Sequence, residues 1–248
     1  MPHVSDRVAL LERGLREIFG HRLQSLVAYD LGSAGSTPHD RKDHDQTSPS
    51  HESMTRTLAV VETLSAGDLK RCADRAAGWH EAGLATPLLL ASHEFERSLD
   101  AFPLEFGAIL ADHTVVAGRN PFEGVEVNPA DVRRACEVQA RSHLLHLREG
   151  FVETRGNADA LAVLIVESAA PFAALLAGIA RLEGLSSGNA ADVHRRLEGH
   201  LELPGGAAEV AQLAHVKEIS KAEATRLFPA YLDAVERIVT YVDRWRKR

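Results

Sequence analysis

Val8, Leu11, Leu15 and Ile18 fall on one stripe at helical spacing, which predicts a helix over Asp6 to Phe19 with Ser5 as its cap and Gly20 as its stop. The pattern then changes. Leu23 to Tyr29 holds the short apolar run Leu26-Val27-Ala28 and reads as a strand, followed by the small-residue turn Gly32-Ser33-Ala34-Gly35-Ser36. Thr37 to Ser53, TPHDRKDHDQTSPSHES, has no apolar residue and predicts an exposed, mobile loop. Leu58 to Val61 is a second strand of buried type. Ser65 and Asp68 are spaced as a capping box and open a helix to about Ala82, with Gly83 past its end. Leu88 to Ala91 is a third short strand, and His93 to Ser98 a short helix. Ala101 to Leu110 reads as a strand with a charge, Glu105, inside it, and Thr114 to Ala117 adds an edge strand. Strands and helices alternate through this half, so its class is α/β or α+β with a mixed sheet.

After the turn-rich segment Gly118 to Gly124, strand signals cease. Asn128 caps and Pro129 opens a long helix with Cys136, Ala140, Leu144, Leu147 and Phe151 along one face. Ala160 to Ala180 forms an Ala/Leu-rich helix, Asp192 to His200 a shorter polar one, and Pro204-Gly205-Gly206 a break. The last helix, Ala222 to Trp245, carries the stripe Leu227, Phe228, Tyr231, Val235, Ile238, Val242 and Trp245. This half is an all-α bundle, and the expected domains are 1–127 and 128–248. The Ala160–Ala180 stretch has the length of a membrane span, but Glu167 and Pro171 lie near its middle and much of it is Ala and Gly, so it reads as a buried bundle helix. It is apolar nearly all round, and the helices near His200 and Val210 are too small to cover it. The expectation is therefore a homodimer formed mainly through helical residues, with Ala174 on the side to be tested.

Composition narrows the function classes. The 248 residues carry a formal net charge of -7, with 45% hydrophobic and 25% charged residues, which argues against a broad nucleic-acid face. The one basic cluster, Arg244, Arg246, Lys247 and Arg248, ends the last helix, where cations complement its dipole. Cys72 and Cys136 sit far apart in helical patterns and read as core residues, consistent with a reducing cytoplasm. The first residues, MPHVSDRVALLERG, show no apolar run of signal length.

The order helix, strand, Gly-Ser turn, strand, helix, strand, in LREIFGHRLQSLVAYDLGSAG, LAVVETLSAGDL and SLDAFPLEF, resembles the opening of the nucleotidyltransferase superfamily, which includes the minimal and aminoglycoside nucleotidyltransferases. The resemblance implies that Gly32 and Ser33 form the turn whose short backbone lets phosphate oxygens approach N–H groups. It also implies two aspartates at alternate positions at the start of the second strand. These hold Mg²⁺ on a nucleoside triphosphate, while a third carboxylate on a later strand helps activate the acceptor hydroxyl. In this chain the two aspartate positions fall on Thr55 and Thr57. Asp43-His44-Asp45 has the Asp-x-Asp form at an acceptable distance from Ser33, but it sits in the polar loop, where it is either a metal pair or a solvated acidic segment. Glu105 is the candidate third acid, or else a solvent-facing residue of an edge strand.

Other candidates carry less. His39, His44 and His51 lie among Asp40, Asp43 and Asp45 without a zinc-site spacing. His143 and His146 share one helix as surface or groove residues, and Arg134, Arg141 and Arg148 recur every seven residues as a solvated face or an anion-facing row. The leading expectation is a degenerate nucleotidyltransferase-like protein that acts in nucleotide or protein binding. Two alternatives stand beside it. One is an active Mg²⁺-dependent enzyme using Asp43, Asp45 and Glu105 to move a nucleoside monophosphate onto a hydroxyl. The other is a subunit pairing with a helical partner, as in toxin–antitoxin systems.

Overall fold

The computed structural model describes residues 4–29, 54–186 and 189–246. The chain divides into two compact units, Met1–Val127 and Asn128–Arg248. The expected loop 37–53, with Gly32 and Ser33 before it, lies outside the described residues.

The first unit is built on a mixed sheet of β1 (Leu23–Tyr29), β2 (Arg56–Val61), β3 (Leu88–Ala91) and β4 (His113–Gly118), ordered β3-β2-β1-β4. β1 pairs antiparallel with β2 and β4, and β3 runs parallel to β2. Strand alternation splits the apolar residues between two faces. On one, Leu26, Ala28, Ala59 and Val61 pack against Val8, Leu11, Leu15 and Ile18 of α1 (Val4–Phe19) and Cys72 and Trp79 of α2 (Ala66–Glu81). On the other, Val27, Leu58 and Val60 pack against Phe95, Phe106, Ile109 and Phe122, with Phe95 edge-on to both other Phe rings.

That second face corrects one expectation. Residues 101–110 do not form a strand: α3 (Ser92–Ala101) and α4 (Pro103–Ala111) follow one another there. Pro103 occupies the first turn, where its missing N–H costs nothing, and Phe106 and Ile109, three apart, turn one side of the helix to the sheet. β4 is an edge strand, as the pattern predicts.

Local chemistry sets the boundaries. Ser65 Oγ accepts from the Asp68 N–H at 3.2 Å and the Asp68 carboxylate accepts from the Ser65 N–H at 3.0 Å, which is the expected capping box. Asp68 is 2% exposed and also receives both guanidinium nitrogens of Arg22, at 3.0 and 2.8 Å. Arg22, with Ser65 assisting, holds this carboxyl far below the usual carboxylate range and ties the start of β1 to the start of α2. At the far end of β4, Gly118 has φ +75°, and a Cβ there would lie 2.0 Å from the Gln24 carbonyl oxygen. Gly118→Ala should therefore detach the end of β4 from β1 and destabilise the unit by at least about 1–2 kcal/mol, read from a urea titration. An unchanged midpoint would mean the strand end is free to shift.

The second unit contains α5 (Pro129–Glu153), α6 (Ala158–Leu182), α7 (Ala190–His200), α8 (Ala207–Gln212) and α9 (Lys221–Arg244). Asn128 caps α5 by accepting from the Ala130 N–H at 2.9 Å. α6 packs against each of the other four helices of the unit. Its buried side includes Leu161, Ile165, Ala169, Phe172, Leu175, Leu176 and Ile179. This helix is long and apolar enough to cross a membrane by length and composition, yet that side forms the centre of the bundle. One side of it is left uncovered: Ala160, Val163, Glu167, Ala170 and Ala174 form an exposed outward row. Gly150 lets α6 come close to α5, since a Cβ there would meet Leu164 Cδ1 at 2.5 Å. Gln139 donates to the Pro171 carbonyl at 3.3 Å.

His143 corrects another expectation. It is buried rather than a surface or groove residue, while His146 is exposed. Its Nε2 lies 2.6 Å from the hydroxyl of Tyr231, which is also 3.1 Å from Ser168 Oγ, and its ring stacks on Phe172. Of the arginine row, Arg141 pairs with Asp243 and Arg148 with Glu236, so these two knit α5 to α9. Cys72 and Cys136 are buried, as expected of core residues, and burial pushes the Cys136 thiol up to about 12.

Candidate functional site

The sheet register gathers one end of the first unit. Tyr29, the last residue of β1, lies opposite Arg56 of β2 and His113 of β4, and Ala28 lies opposite Thr57 and Thr114. Because β3 runs parallel to β2, with Leu58 opposite Leu88 and a bridge between Thr55 and Leu84, the start of β3 is at this same end. Here the resemblance places a pair of metal-binding carboxylates. The side chains present are those of Thr55 and Thr57.

Thr57 alternates with Ala59 and Val61, so it belongs to the face that packs against α1 and α2. It is 1% exposed, and its Oγ1 is buried with no hydrogen-bond partner among the described residues. Thr55, two positions earlier, is 6% exposed. Two neutral, buried hydroxyls do not fit a hard divalent cation, which takes anionic or carbonyl oxygens and keeps part of its water. The segment entering β3, Ala85-Thr86-Pro87-Leu88, carries no carboxylate. Among the described residues, no group of three or more His, Cys, Asp or Glu side chains is arranged to hold a metal ion.

Glu105 stands in the first turn of α4 rather than on a strand, and its side is exposed while Phe106 beside it is buried. Gly32, Ser33, Asp43 and Asp45 lie outside the described residues. One residue that the sequence did not single out occupies this end of the sheet. His113 Nδ1 lies 3.0 and 3.2 Å from the carbonyl oxygens of Ile109 and Leu110, its Nε2 is 3.2 Å from Asn120 Oδ1, and its ring tilts against Phe122. Both ring nitrogens are engaged by the chain itself, so His113 anchors the junction of α4 and β4. Its only local signal is the four-residue separation from Ile109.

No family model matches the chain, and no curated protein matches it in sequence. Among solved structures, it is similar to the spectinomycin adenyltransferase AAD(9) from Enterococcus faecialis, crystallised with ATP and spectinomycin. The TM-score is 0.58, covering 95% of this chain and 99% of that one, with 9% of residues identical. The chain has a nucleotidyltransferase fold. At that identity the likeness is one of backbone architecture: a mixed sheet flanked by helices, followed by a helical bundle.

Proposed function

We propose that this nucleotidyltransferase-fold protein has lost metal-dependent transfer and acts by binding a nucleotide or another protein. The observation that carries the proposal is Thr57: the position that should present an anionic oxygen to Mg²⁺ presents instead a buried hydroxyl on an apolar face. Thr55 repeats the change at the paired position. Without those charges, the triphosphate has no counter-ion held by the sheet, and transfer loses its main electrostatic support. A nucleotide remains the proposed ligand on two grounds: the neighbouring structure holds ATP, and Gly32-Ser33 has the composition of a phosphate-approaching turn.

The test is incubation with labelled nucleoside triphosphates and Mg²⁺ over a broad panel of hydroxyl acceptors, alongside calorimetric titration with ATP. The expected result is no label transfer, and ATP binding that is indifferent to a chelator. Turnover that disappears in Glu105→Gln, or in Asp43→Asn with Asp45→Asn, would overturn the proposal in favour of an active enzyme.

A further inference from the structure

We draw no further inference here: the strongest candidate, the exposed apolar surface of α5 and α6 in the second unit, with Val138, Leu145 and Val152 on one helix and Val163 on the other, carries nothing, because nothing in the structure shows what covers it.

Discussion

Thr57→Asp is expected to destabilise the first unit by about 3–5 kcal/mol at neutral pH, the range seen when a charge is left buried without a partner. The residue is 1% exposed, and its strand neighbours on the same face, Ala59 and Val61, are packed against α1 and α2. No donor among the described residues reaches even the present hydroxyl. The introduced carboxyl would lower the cost by staying protonated, so the deficit should shrink as the pH falls from 7 toward 5. Thr57→Val keeps the shape, removes the unpaired hydroxyl, and should be neutral or stabilising by up to about 1 kcal/mol. Urea titrations of the three proteins at both pH values decide the matter. If Thr57→Asp is as stable as the parent at pH 7, a cation or donor is available at this end of the sheet and the proposed loss of metal chemistry fails.

Acid should act on the second unit through His143. Burial depresses its pKa from 6.5 to about 4 in the folded chain, with His146 adding a little in the same direction. Above 6.5 both states are neutral and the group contributes no pH dependence. Below it, the unfolded chain takes up a proton that the folded one refuses, so stability falls as the pH drops from 6.5 to 4 and levels off beneath. At about 1.4 kcal/mol for each pH unit, the loss is about 3 kcal/mol. His194, also depressed by burial, adds to the same slope. His143→Gln keeps a side chain that can meet the Tyr231 hydroxyl but has no proton to gain, so its stability should change less over that window. Chemical denaturation at a series of pH values measures this. Parallel curves for parent and variant would mean that the imidazole is hydrated and free to charge in the folded protein.

Sequence alone located much of the scaffold because the deciding interactions are local. The capping box at Ser65 and Asp68 spans three residues, Asn128-Pro129 caps α5 with its own side chain, and the stripe on α9 repeats with the helical period. What it misjudged depended on distant partners. Residues 101–110 are apolar enough for a strand, and only the uncovered second face of the sheet makes them helical; the spacing of Phe106 and Ile109, with Pro103 ahead, was the available signal. His143 is buried because Tyr231, 88 residues away, offers it a hydroxyl, and no pattern on α5 announces that. At the candidate site the two threonines are legible as replacements, but their burial is not, because it is set by the packing of α1 and α2 over the strand.

The strand order has a consequence for synthesis on the ribosome. β1 is an interior strand, yet it is the first to emerge, and β4, which covers its second edge, follows only after α2, α3 and α4. Until His113 to Gly118 leaves the exit tunnel, the apolar run of β1 has one side of its backbone unpaired, a condition that invites strand addition from neighbouring chains. Nascent chains halted before β4 should therefore associate with holding chaperones, and those halted after α5 should let go of them.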